Sequence, residues 1–252
     1  MVKADPLIPY APLGTLKPFA PGLWTADGGV IRMAYGGFSL PFTTRMVVAP
    51  LSGGGLWVWS PIAPTEQLLA EVARLGPVRH IISPNAIHYA HIPAWAEAFP
   101  EANVWASPGV RERAKSQGIT VRFSDDLGER PPGTWAETLD QTIFEGSRLL
   151  REVVFFHRES RTLIVADLIE NFELPRVRGR WLRTLMRIGG VTDPDGQMPR
   201  DLRLSYLGRR KAARASLERL LDWAPERLIL AHGRCYEHDA TDELRRAFRW
   251  LL

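Results

Sequence analysis

The sequence predicts a layered α/β fold. Short apolar runs of strand length alternate with longer runs whose apolar residues recur at helical spacing. From Leu56 to Gln117 the order is strand, helix, strand, helix, strand, helix, the pattern of helices packed on sheets. Three strand-like runs also lead into a histidine or an aspartate, and in layered α/β folds ligands bind at strand ends.

The elements follow in order. Residues 1–22 are proline-rich and aperiodic and are expected to form an extended arm, with residues 23–252 as a single domain. Short strands are expected at Leu23–Thr25, Val30–Met33, Arg45–Pro50 and Gly55–Ser60. Ser52-Gly53-Gly54-Gly55 forms the turn before the last of these. Leu56-Trp57-Val58-Trp59 reads as a half-buried strand. Thr65 is a helix cap, Leu68, Leu69, Val72 and Leu75 form one helix face, and Gly76-Pro77 stops it. Val78–Ser83 is a buried strand ended by Pro84, which has no N–H for a ladder. Helix Ile92–Phe99, strand Asn103–Ala106 and helix Pro108–Gln117 come next, then a polar loop over 124–135. Strands follow at Thr142–Phe144, Glu152–His157 and Thr162–Ala166. Residues 176–190 are arginine-rich with an imperfect apolar face. Leu202–Trp223 is a basic helical region broken at Gly208. Strand Leu228–Ala231 and an amphipathic helix, Thr241–Leu252, close the chain.

Composition limits the function classes. The chain has 252 residues, 45% of them hydrophobic and 24% charged, ordinary for a globular protein with a sizeable core. No apolar run reaches the roughly 18 residues of a membrane span. The first residues hold no continuous apolar core of a signal peptide. The one cysteine, Cys235, excludes an internal disulfide and a cysteine-based zinc cage. A cytoplasmic location is expected. The net charge of +4 is too mild to imply nucleic acid.

The candidate chemistry sits in four residues beyond strand ends: His88 and His91 after Pro84-Asn85, Asp167 after Thr162–Ala166, and His232 after Leu228–Ala231. Imidazole and carboxylate ligate zinc, iron or manganese. Each also has a purely structural reading: a histidine hydrogen-bonded at a strand end, an aspartate capping the next segment. His157 reads as a turn residue, and His80 and His238 as packing or surface residues.

From Leu23 to Leu252 the order of elements resembles the metallo-β-lactamase superfamily. GGGLWVWSPIAPTEQLLAEVARLG matches its hairpin-to-helix entry, and VRHIISPNAIHYAHIPAW its strand and H-x-H-x-D-H loop. TLIVAD matches its strand ending in Asp, and LILAHG its last strand ending in His-Gly. The segment EVVFFHRESRTLIVAD and the Pro-Asn-x-x-His loop point to a divergent branch with an incomplete ligand set. The resemblance implies a four-layer αββα sandwich with metal along one edge. With His91 in the loop's last position, His88 takes the second histidine, Ala86 falls on the first and Ala90 on the aspartate. Arg148 falls near the family's next histidine, and Ser60-Pro61 stands where an early Asp belongs. A dinuclear site is therefore not expected. What remains is one divalent ion, zinc first with iron or manganese as alternatives, on His91, Asp167 and His232, with His88 as fourth ligand or supporting donor. In a shifted register His88 becomes the main ligand. Asn85 and Glu152 are candidates to support the ligands, and Glu152 the substitute for the missing loop carboxylate.

Two functions follow: a mononuclear metal-dependent hydrolase of a small-molecule ester, lactone or related substrate, or a degenerate fold without metal that serves as a binding or scaffold domain. Nucleic acid is disfavoured, because the arginines from Arg176 to Arg187 and Arg209 to Arg214 fit a solvated helix face. Membrane-surface contact by Trp181–Ile188 is disfavoured against a cap on the pocket or a dimer contact, so a homo-oligomer stays open.

Overall fold

Two antiparallel strands of 13 residues each, β2 (Leu23–Tyr35) and β3 (Phe38–Pro50), dominate the first sheet of a computed structural model, which describes residues 5–35 and 38–252. The sequence suggested only short pieces here. Asp27-Gly28-Gly29 interrupts the apolar pattern, and the structure absorbs the break as a register shift between Asp27 and Val30. Lys17–Ala20, in the segment expected to be arm, pairs with β2 as the edge strand β1. β4 (Leu56–Trp59) follows the glycine turn, where Gly54 and Gly55 have φ of 87° and 83°, a region that favours glycine. β5 (Val78–Ile82), β6 (Asn103–Ala106) and β7 (Asp125–Asp126) then add in sequence order as parallel strands.

Parallel neighbours need crossovers, and α1 (Glu66–Leu75), α2 (Ile92–Ala98) and α3 (Val110–Ser116) fall between these strands. The Thr65 side chain accepts the Leu68 N–H at 3.1 Å and starts α1. These helices cover one face of the sheet through Val58, Leu68, Val72, Ile81, Ile92 and Trp95.

The second sheet has the order β11-β10-β9-β8: Arg227–Leu230, Thr162–Val165, Glu152–His157 and Leu139–Phe144. α4 (Arg180–Gly189), α5 (Arg200–Leu204), α6 (Arg210–Asp222) and α7 (Ala240–Ala247) follow β10 or β11 in sequence. Leu217, Leu220, Leu244 and Phe248 pack on its outer face. Gly208, with φ of 76°, separates α5 from α6. His157, expected in a turn, ends β9, buried with Nδ1 2.8 Å from the Ser160 hydroxyl.

The two sheets meet face to face. Trp57, Trp59 and Ile82 from the first pack with Val153, Phe155, Ile164 and Ile229 from the second. Trp57 meets Phe155 edge-on at 4.9 Å between ring centroids. β4, expected half-buried, is buried at every residue, because helices cover one face and the second sheet covers the other. The architecture is the four-layer αββα sandwich, mixed α/β.

The topology sets up one edge for chemistry. β10 and β11 are parallel and β9 runs against them, so the ends of β10 and β11 and the start of β9 lie together. Pro84 beyond β5 joins this edge, where its carbonyl accepts the Val153 N–H at 2.8 Å.

Candidate metal centre

Three loops deliver side chains to that edge. In the first, Asn85 Oδ1 accepts the Ile87 N–H at 3.0 Å, a local side-chain turn. The Ser83 hydroxyl lies 3.0 Å and 3.1 Å from the carbonyls of Asn85 and His88 and gathers the loop around itself. These contacts turn His88 inward.

Asp167 follows β10. Its N–H donates to Glu152 Oε2 and the Ala166 N–H to Glu152 Oε1, both at 2.7 Å. Asn85 Nδ2 donates to Asp167 Oδ2 at 2.6 Å and to Glu152 Oε2 at 3.1 Å. Glu152 is fully buried and lines neither cavity at this edge, so it faces the Asp167 backbone. That differs from the expectation that it replaces the loop carboxylate: the two N–H groups at the end of β10 and Asn85 occupy its oxygens.

His232 follows β11 in a turn that only glycine can complete. A Cβ on Gly233, whose φ is 92°, would lie 2.1 Å from the Asn171 carbonyl oxygen. Buried Arg45 clamps the same turn through Nη1, which donates to the carbonyls of Leu230 at 2.6 Å and Gly233 at 2.8 Å. Its Nη2 pairs with Asp27 at 2.8 Å.

The side chains of His88, Asp167 and His232 converge, each offering a ligand atom within 4.8 Å of the others. His88 Nε2 is 3.1 Å from Asp167 Oδ2, and His232 Nε2 is 3.4 Å from Asp167 Oδ1. Each outer nitrogen is held from behind: His232 Nδ1 lies 2.6 Å from the Thr43 carbonyl, and His88 Nδ1 2.7 Å from the Ser60 hydroxyl. A carbonyl only accepts, so His232 carries its proton on Nδ1. In neutral imidazole this leaves a lone pair on Nε2 facing a carboxylate oxygen. Two acceptors at that separation call for a proton or a cation between them. Burial pulls the Asp167 carboxyl upward, but His88 and His232 outweigh it and hold it well below the usual carboxylate range. Burial and the neighbouring Asp167 charge push Glu152 upward.

His91 stands apart from this group. It enters α2 at the cap position and lines a pocket of about 40 Å³ together with His88, His232, Ser60 and Ala90. Among the described residues its ligand atoms do not join those of His88, Asp167 and His232. The Asn85 turn places His88 in the cluster, whereas His91, three residues later, stands where the helix begins. Arg148 is exposed, and its backbone N–H donates to the Ser205 carbonyl.

The small pocket adjoins a cleft of about 630 Å³, with Met33, Phe42 and Ile87 lining both. Asp167 and Glu170 lie deep in the cleft, and α4 forms a wall through Trp181, Leu182, Leu185 and Met186. Burial pushes the Glu170 carboxyl up to about 8; the nearby His232 opposes this and Asp167 and Asp201 add to it. Glu170 and the Thr43 carbonyl were missed in the sequence. A backbone carbonyl leaves no residue signature, and Glu170 lies in an irregular segment. Ser60 was visible as the residue in place of an acid.

Comparison with known proteins agrees with this fold. Residues 34–177, more than half of the chain, match the family described as "Domain of unknown function (DUF4336)", and the chain belongs to that family. No curated protein matches it. The fold is that of the metallo-β-lactamases among solved structures. A metallo-β-lactamase from Erythrobacter litoralis is 15% identical with a TM-score of 0.61, covering 93% of this chain and 96% of that chain. One from Hirschia baltica is 14% identical with a TM-score of 0.60 over 94% and 96%. FIM-1 from Pseudomonas aeruginosa, solved in its mono-zinc form, is 12% identical with a TM-score of 0.61 over 94% and 96%.

Proposed function

We propose that the chain is a mononuclear metal-dependent hydrolase of a small-molecule ester or lactone, with His88, Asp167 and His232 holding one divalent ion, zinc before iron or manganese. The observation that carries this reading is the 3.4 Å approach of His232 Nε2 to Asp167 Oδ1 while Nδ1 is committed to the Thr43 carbonyl. Three protein donors with a position left open is the arrangement of catalytic zinc. When bound, such an ion supplies Lewis acidity: it polarises a carbonyl oxygen and acidifies water. The chain's own residues do the rest. Ser60 and Thr43 orient the two imidazoles, Asn85 fixes Asp167 Oδ2, and Glu152 fixes the backbone that carries Asp167. FIM-1, a fold neighbour in a mono-zinc form, supports a single ion.

A second reading, a degenerate fold acting as a binding domain, draws on Ala86, Ala90 and Arg148 standing where the superfamily carries ligands. Elemental analysis of protein purified without a histidine tag separates the two. About one ion per chain, lost in Asp167→Ala and His232→Ala, is expected. A parent that binds no zinc, iron or manganese, and gains no thermal stability from any of them, would favour the binding domain.

A further inference from the structure

The cleft is far larger than the centre at its end, and its chemistry is one-sided. Its wall is apolar over the length of α4, from Trp181 to Ile188, and continues through Phe172 and Val191. Arg113, Arg200 and Asp201 line it as exposed residues, at the mouth. In the depth Asp167 and Glu170 line it, with the imidazoles of His88 and His232 beside Asp167. A chain of methylenes meets matching surface along the whole cleft.

The apolar wall continues outward. Trp181 is 66% exposed, Ile188 63% and Leu149 74%, and all three line the same cleft. Large apolar side chains left in water around a cavity mark a place for an apolar ligand. The base of α4 is also held in place. Ile8 donates its N–H to the Arg176 carbonyl at 2.8 Å, Arg178 donates to the Pro6 carbonyl at 2.7 Å, and Leu7 packs with Leu182 and Met186. The wall is part of the fold, with its inner face anchored and its outer face bare.

We infer that the substrate is an ester or lactone bearing a long aliphatic chain, which lies along α4 with its carbonyl at the Asp167 end of the cleft. This rests on the hydrolase reading for the reaction and on the cleft alone for the chain. In the reaction, the oxygen of water bonds to the acyl carbon and the acyl C–O bond breaks. The proton goes to the leaving oxygen, giving an acid and an alcohol with no redox partner.

The test uses probes that bind without reacting: butanamide, hexanamide, octanamide and decanamide, each below its aggregation limit. Binding is followed by calorimetry on the metal-loaded and metal-stripped full chain. Affinity is expected to rise about twofold or more per methylene, toward the roughly fourfold that full burial of a methylene gives. Leu185→Glu, which puts a charge on the wall, should flatten that slope. Trp181→Ala, at an exposed position, should lower the affinity for decanamide alone. A flat series, a slope unchanged in both variants, or binding to anionic vesicles without any response to monomeric amides would overturn the inference. So would a dimer that covers Trp181 and Ile188 and binds no amide. The two readings fail separately. Metal with a flat series removes the chain site and leaves the hydrolase. A steep series on a chain that takes up no metal keeps the chain site and removes the hydrolase.

Discussion

The two ends of the cleft are built on opposite principles. At the candidate metal centre the polar groups of the cluster are held from behind: His232 by Thr43, His88 by Ser60, Asp167 by Asn85 and by the Glu152 grip on its backbone. On the face of α4 that lines the cleft the side chains are apolar, and Trp181 and Ile188 are largely exposed to water. Polar ligands need directional partners, because a buried donor or acceptor left unpaired costs about 1–3 kcal/mol. An apolar wall needs only area, and its attraction for a chain is non-directional. Substitutions at the centre should therefore be felt as stability and metal affinity together, and substitutions on the wall as ligand affinity alone.

The sharpest way to break this comparison is Gly233→Ala. The new Cβ would collide with the Asn171 carbonyl and force the turn that carries His232 to move. A loss of about 4 kcal/mol or more, with loss of the metal, is expected from thermal melts and elemental analysis. A variant that melts like the parent and keeps its metal would show that the turn can relax.

Asn85→Ala comes next. It removes the donor shared by Asp167 and Glu152, two buried carboxylates, and should cost about 2–3 kcal/mol and about 10–100-fold in metal affinity. If stability fell without any change in metal affinity, Asn85 would be a packing residue only. Ser60→Ala is the exception at the centre, because its hydrogen bond to His88 is only part-buried and its loss costs little stability. Metal affinity is expected to fall about tenfold, because His88 loses its orienting partner, while the melting temperature stays within a few degrees.

Acid should destabilise the apolar interior through a different histidine. His80 is buried between Trp105 and Trp135, and Trp105 Nε1 donates to its Nδ1 at 3.1 Å. Burial first, then the Arg79 charge, lowers its pKa from 6.5 to about 4. The unfolded chain then binds more protons between these values, so the contribution is complete above pH 6.5 and is lost as pH falls toward 4. His157, also lowered by burial, acts in the same sense. The fall in melting temperature from neutral pH to pH 4 should thus be smaller in His80→Leu than in the parent, on top of a pH-independent loss of the Trp105 hydrogen bond. The smallest effect belongs to the wall: Trp181→Ala should change stability by no more than about 0.5 kcal/mol, since the side chain is 66% exposed. A larger loss would mean that α4 is held from the cleft side.

The sequence by itself determined the local punctuation. The Ser52–Gly55 turn, the Thr65 cap, the break at Gly208 and the strands running into Asp167 and His232 all stand where their residues put them. These features depend on φ preferences, missing N–H groups and apolar period, which neighbours in the chain decide. Tertiary structure decided the rest. His88 and His91 are three residues apart with the same chemistry, and His88 stands beside Asp167 because Asn85 anchors its loop on Glu152 and Asp167 far along the chain. The long β2–β3 hairpin survives its glycines because each strand pairs along its length, and β4 is buried on both faces because a second sheet arrives from a distant segment. The cleft joins residues from Met33 to Leu202. No local pattern encodes such a surface, because its shape exists only where the layers meet.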